Sequence, residues 1–262
     1  GLGGSLDATN AVMPAVAVVT PVSLDHTELL GRTVSLIARD KAGIIKKGCA
    51  VVIGPQTPAA AAALRKRCRA AGARPVVLGR DWKVEDRRTG LKGTMWNLAS
   101  AGRRYEGLFC PLAGTYQADN ASMAVLAAQA FAGRPAMPRL EEKAMRRGLK
   151  KTIWPGRFQQ WRPGVILDGA HNPESAKRLA ESFRAIFPGK KAVLVLGVSR
   201  EKDTKGILRQ LAPIAARVVA TQAASPRSLP AQELARAVQR QTGNGVRREP
   251  DPQRAKRLAR SQ

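Results

Sequence analysis

The sequence is poor in aromatics, cysteine, histidine and acid. Phe, Trp and Tyr together make 4% of its 262 residues, which leaves no platform on which single-stranded bases could stack. Cys49, Cys68 and Cys110 stand far apart with no C-x-x-C pattern. That argues against zinc and disulfide frameworks and points to a reducing, cytoplasmic compartment. No apolar run approaches the roughly 18–20 residues of a membrane span, and no basic-then-apolar signal opens the chain. No G-x-x-x-x-G-K-[ST] phosphate loop occurs, since Gly189-Lys190 is followed by Lys191 and comes after a helical pattern. Zinc-finger and RNP patterns are missing too.

What is present is basic charge. Lys and Arg number 45 against 19 Asp and Glu, a net +26. Such a field attracts anions, whether nucleotides, polycarboxylates or nucleic acid. The cations are spread through Arg65-Lys-Arg67, Arg87-Arg88, Arg103-Arg104, Arg146-Arg147 and Lys150-Lys151, mostly alternating with apolar positions as along helices. This favours a solvated surface over a nucleic-acid footprint. The hydrophobic share of 44% is that of a globular chain with room for one large domain or two ordinary ones.

Ala15-Val-Ala-Val-Val-Thr20, Ala50-Val-Val-Ile53 and Pro75-Val-Val-Leu78 read as buried strands, with helices over 33–41 and 59–71 between them. This βαβαβ rhythm implies a parallel sheet. Residues 82–110, with Gly-containing turns, read as a small antiparallel patch. Helices are expected over 117–132 and 138–150, with Pro138 in a first turn. Trp154-Pro-Gly-Arg-Phe158 marks a boundary, giving domains 1–153 and 154–262. After it, strands at 164–168, 192–196 and 217–220 alternate with helices at 173–187, 204–211 and 230–239. A second, smaller doubly wound domain is expected, whose charged tail from Arg247 holds no closing strand.

Asp168-Gly-Ala-His-Asn-Pro173 is the sharpest local signal. Asp168 ends a strand, Asn172 can cap the next helix and Pro173 suits its first turn. In an open α/β sheet that is where ligands bind. Asp168 could accept hydrogen bonds from a ribose, and His171 could meet a base or phosphate; otherwise Asp168 and Asn172 only shape the loop. The other histidine, His26, follows the first strand beside Asp25 and could bind a divalent cation oriented by that carboxylate. Lys41 ends a helical run and reads, on spacing alone, as a helix C-terminal cation. Gly1-Leu-Gly-Gly4 suggests a close backbone approach to a ligand.

Taken in order, Gly1-Leu-Gly-Gly-Ser-Leu-Asp-Ala-Thr-Asn10, Leu24-Asp-His-Thr-Glu28, Ala38-Arg-Asp-Lys-Ala-Gly-Ile-Ile-Lys46, Tyr116-Gln-Ala-Asp-Asn-Ala121, Trp154-Pro-Gly-Arg157 and Leu167-Asp-Gly-Ala-His-Asn-Pro173 resemble the folylpolyglutamate synthase/dihydrofolate synthase family of the Mur ligase superfamily. The resemblance implies part of a central ATPase domain followed by a C-terminal ligase domain, both α/β. It implies ATP-dependent joining of L-glutamate to dihydropteroate or folates through an acyl phosphate, with magnesium and, as an alternative companion ion, potassium. By the same resemblance His26 is a magnesium ligand and Lys41 a catalytic lysine, carbamylated to serve a second metal. Asn120, Arg157 and Asp168 bind ATP with catalytic His171 beside them, Arg157 sitting at the hinge. Leu6, Asp7 and Ala8 contact the pterin. A monomer without membrane or nucleic-acid partners is expected. The family's phosphate loop, first strands and an acidic magnesium ligand precede the position of Gly1, so the fragment itself is expected to be inactive. Ser5 and Tyr116 stand where the family commonly has Arg and His. A Mur-type ligase for peptidoglycan precursors, a basic nucleic-acid-binding module and an inactive remnant are the competing readings.

Overall fold

The computed structural model describes residues 4, 7–25, 27–135, 137–243 and 245–260. The chain divides into two compact units. One is Gly1–Arg88 with Lys92–Leu112 and Tyr116–Trp154; the other is Pro155–Gln262 with Thr89–Leu91 and Ala113–Thr115.

In the first unit, β1 (Val16–Val19), β2 (Ala50–Ile53) and β3 (Arg74–Val77) pair in parallel, in chain order. The crossovers hold α1 (Thr27–Leu30) and α2 (Val34–Lys41) before β2, and α3 (Pro58–Ala70) before β3. Thr33 caps α2 and Thr57 caps α3, each accepting a backbone N–H through its hydroxyl. Period-2 alternation sorts the strand residues onto two cores. Val51 and Ile53 face Ile37, Leu64 and Cys68, whereas Val52 joins Trp82, Trp96 and Leu98 on the other side. That second core is closed by α4 (Gln117–Ala132), which packs on β1 and β2. A sheet of β4 (Trp82–Gly90), β5 (Gly93–Ser100) and β6 (Arg103–Cys110), in that order, completes it. Arg87-Arg88 and Arg103-Arg104 lie on these strands rather than on helices.

The helix expected over 138–150 is shorter. As α5 it covers Glu142–Lys150, with Glu141 extended at its start (φ −69°, ψ 143°). Its buried residues, Met145 and Leu149, are one turn apart, and Leu140 packs against the core from the preceding loop. Anchoring Leu140 outside the helical stripe keeps 138–141 from joining it.

In the second unit, β9 (Ala192–Leu196), β10 (Ala215–Ala220) and β11 (Val246–Arg248) form a parallel sheet in the order β11-β10-β9. Around it lie α6 (Pro173–Ile186), α7 (Thr204–Leu211), α8 (Ala231–Thr242) and α9 (Pro252–Arg260). Ala176, Ala180, Ile207, Leu211, Val218, Leu234 and Val238 share one core, and α9 packs on β9 and β10. Gly114 donates its N–H to Thr89 Oγ1, and Thr115 to Ser182 Oγ, which joins those two short stretches to this unit.

Two expectations give way here. The tail does contain a strand, β11, whose Val-Arg-Arg composition reads as polar because a sheet edge needs only one buried side. The strand before Asp168 is also not part of the parallel sheet. It is β8 (Val165–Leu167), paired antiparallel with β7 (Gln159–Arg162) in a separate hairpin turned at Gly164 (φ +75°). The polar Gln-Gln-Trp-Arg run of β7 carries no apolar alternation to announce it. Among the described residues no helix is long and apolar enough to cross a membrane.

Candidate functional site

The second unit gathers Arg157, Asp168 and His171 through a short set of backbone bonds. Gly169 N–H donates to Gly156 O at 2.9 Å, tying the turn that carries Arg157 to the end of β8. The Asp168 carboxylate then accepts from both sides: Phe158 N–H reaches Oδ2 at 2.7 Å and Ala170 N–H reaches Oδ1 at 2.8 Å. Burial pushes this carboxyl above the ordinary aspartate value, against the opposing pull of the two N–H groups and of Arg157. Asp168 therefore does shape the loop, as the plainer of its two readings had it. A carboxylate has about four lone-pair sites, so two backbone donors do not exhaust it.

Phe158 holds this geometry at some cost. It is 1% exposed, and its φ of +45° lies in the left-handed region that a side chain resists. Nothing in the residue type announces that conformation.

His171 sits on the following turn, exposed, with Nδ1 2.9 Å from Gly169 O. A carbonyl oxygen can only accept, so Nδ1 carries the hydrogen and the neutral ring keeps its lone pair on Nε2. Asn172 caps α6 as its sequence suggests: its Oδ1 accepts Ser175 N–H at 2.8 Å, while Ser175 Oγ accepts the N–H of Asn172 at 3.0 Å. This reciprocal cap joins Asn172 and Ser175, three residues apart, as in a capping box. At the start of α7, Gly206 lies against the Pro173 ring and the carboxylate of Asp203, which caps α7. A Cβ there would collide with both. The first turns of α6 and α7 thus meet; the dipole end of α6 favours an anion beside the His171–Asn172 turn, while the Asp203 carboxylate already occupies that of α7.

The first unit holds the other candidates. Lys41 is the last residue of α2, half-buried, and among the described residues nothing holds its ammonium. Gly4 packs against the backbone of Asp40 and Lys41 so closely that a Cβ would overlap it, and Gly4 N–H donates to Asp40 Oδ2 at 2.6 Å. At Gly4 the close backbone approach is to the end of α2; Gly1 and Gly3 lie outside the described residues. Asp7 caps a single 3-10 turn, Ala8–Ala11, accepting Thr9 N–H at 2.9 Å and Thr9 Oγ1–H at 2.6 Å, and these bonds lower its pKa. Ala8 is exposed at the start of that turn. Asn120 is exposed on the first turn of α4 and donates Nδ2–H to Gln117 Oε1 at 3.3 Å. Leu6 and His26 lie outside the described residues. The described residues contain no group of three or more His, Cys, Asp or Glu arranged for a metal, and an ammonium offers no lone pair.

Residues 156–262 match the family described as Mur ligase, glutamate ligase domain. The dihydrofolate synthase/folylpolyglutamate synthase of Mycobacterium tuberculosis is 37% identical over 243 residues, 90% of this chain and 50% of that protein. The solved Mycobacterium tuberculosis folylpolyglutamate synthase complexed with ADP superposes with a TM-score of 0.92 at 35% identity, covering 99% of this chain and 58% of that one. Escherichia coli FolC in complex with DHPP and ADP gives 0.86 at 31% identity, covering 100% of this chain and 59% of that one. The chain spans about half the length of the curated relatives it matches. It is a homologue of the folylpolyglutamate/dihydrofolate synthases, with a Mur ligase glutamate ligase domain at residues 156–262.

Proposed function

We propose that this chain belongs to an ATP-dependent ligase joining L-glutamate to the carboxylate of dihydropteroate, of folates, or of both. The observation that carries the reading is the cluster of Arg157, Asp168 and His171 inside the matched glutamate ligase domain, beside the N-terminus of α6. The ADP held by the solved relatives supports it.

In this reading a substrate carboxylate oxygen bonds to the γ-phosphorus of ATP while the bond to the β-phosphate oxygen breaks, releasing ADP. The amine nitrogen of glutamate then attacks the acyl carbon of the mixed anhydride, phosphate leaves, and the amine's proton is lost to a base. Arg157 offers a fork of charged donors to the phosphoryl oxygens as negative charge shifts among them. Asp168 accepts a ribose hydroxyl with the lone pairs left over from Phe158 and Ala170, and Asn120 bonds the nucleotide through its amide. The lone pair on His171 Nε2 takes the amine proton as the C–N bond forms. Carbamylated, Lys41 would change from a cation into a carboxylate able to help hold a metal. Leu6, Asp7 and Ala8 contact the pterin, Asp7 as acceptor for its ring N–H groups. Magnesium carried in with the triphosphate would add Lewis-acid stabilisation.

Calorimetric titration of the 262-residue chain with ADP tests this. Binding should weaken about 10- to 100-fold in Arg157→Ala, the loss of hydrogen bonds to a charged group worth about 1.5–3 kcal/mol. His171→Ala should leave ADP affinity within about twofold, because its role lies in proton transfer. An absence of ADP binding, or ADP binding indifferent to Arg157, would overturn the nucleotide assignment. Titration with dihydropteroate, tetrahydrofolate and a muramyl acceptor identifies the acceptor class, and preference for the last would refute the folate reading.

A further inference from the structure

A different feature of the first unit has no part in that chemistry. Asn10, Arg39, Gly43, Lys46 and Arg67 line a surface cavity of about 400 Å³. Its walls come from the end of the Ala8–Ala11 turn, from α2, from the 3-10 turn Ala42–Ile44 that follows it, and from α3. We infer that this cavity is a binding site for a compact polyanion bearing two or more carboxylate or phosphate groups.

Three observations support this. Arg39, Lys46 and Arg67 converge on one concavity, and among the described residues none of the three is ion-paired. Like charges drawn together around a cavity repel unless an anion balances them. Lys46 and Arg67 are also half-buried, unlike cations on a freely solvated face. Finally, Arg67 is held in place: its Nε–H donates to Ile45 O at 3.0 Å, and this aims the remaining guanidinium donors. A guanidinium fixed at one nitrogen loses less freedom when its other nitrogens take up an oxyanion.

The cavity is not the Lys41 site. Residues two apart on a helix project about 200° from one another, so α2 presents Arg39 and Lys41 to different sides. Lys41 is accordingly missing from the cavity wall. The inference stands independently of the ligase reading, because its residues take no part there.

Calorimetric titration of the full chain with tripolyphosphate and with tri-γ-glutamate, at ionic strength matched by sodium chloride, decides it. Saturable binding of either, weakened at least about tenfold in Lys46→Gln/Arg67→Gln, is expected. It should change less than about twofold in Arg74→Gln/Arg103→Gln, which removes the same charge from a groove beside β3 and β4. Stronger binding of tripolyphosphate names a phosphate ligand, and stronger binding of the peptide names a γ-glutamyl chain. Should the double variant fail to fold, Arg39→Gln at its exposed position carries the same expectation. Binding of neither probe, or equal weakening in the control variant, overturns the site.

Discussion

Substituting Phe158 sets two opposed effects against each other at the centre of the candidate site. The ring is 1% exposed, and deleting a buried aromatic ring costs about 3–5 kcal/mol. Its φ of +45°, however, is a conformation that costs a side-chain-bearing residue about 1–2 kcal/mol and a glycine almost nothing. Phe158→Ala loses the ring and keeps the strain, so the full loss of about 3–5 kcal/mol is expected. Phe158→Gly loses the ring and releases the strain. About 0.4–1 kcal/mol of that relief is returned, because glycine makes the unfolded chain more disordered. The glycine variant should therefore be at least as stable as the alanine variant, and both should lie well below the parent. Burial outweighs strain. With a urea dependence of about 2 kcal/mol per molar, the unfolding midpoint of this unit falls by about 2 M in either variant. Urea titration followed by far-ultraviolet circular dichroism measures it. A midpoint within about 0.5 M of the parent, or an alanine variant more stable than the glycine one by over about 1 kcal/mol, would refute the reasoning.

Asn172→Ala removes the side-chain half of the α6 cap and should lower stability by about 1 kcal/mol, with Asn172→Asp close to the parent, as thermal unfolding will show. The carboxyl of Asp168 titrates above its unfolded value because of burial. Its favourable contribution is therefore complete below the unfolded pKa of 3.8 and is lost as pH rises through the higher folded value. The stability difference between parent and Asp168→Asn should accordingly move in the parent's favour as pH falls from about 7 to about 4, and a difference flat across that range would contradict it. Burial also pushes the thiols of Cys68 and Cys110 up, so iodoacetamide at mildly alkaline pH should spare both in the folded chain and label both in urea, read by mass spectrometry.

Much of this structure rests on interactions that reach no further than four residues, and those could be read from the order of residues alone. Ala176 and Ala180 recur at helical spacing, Val16 to Val19 form a run rich in β-branched residues, and Asn172-Pro173 opens a helix because a side-chain acceptor and a fixed φ suit that position. The six ordered segments of the family resemblance were legible for the same reason, as each is a contiguous string.

Tertiary structure alone decided which strings meet. Nothing in Gln159-Gln-Trp-Arg162 announces a partner, yet pairing with Val165–Leu167 sets Asp168 at the end of a hairpin instead of the parallel sheet. Gly4 owes its lack of a side chain to a backbone 36 residues away, and Phe158 owes its left-handed φ to the carboxylate and burial it must serve. The cavity between Asn10 and Arg67 joins residues whose charges look, in sequence, like any solvated run. Hydrophobic periodicity states which face of an element is buried. It does not state against what, and both candidate sites were made by that second choice.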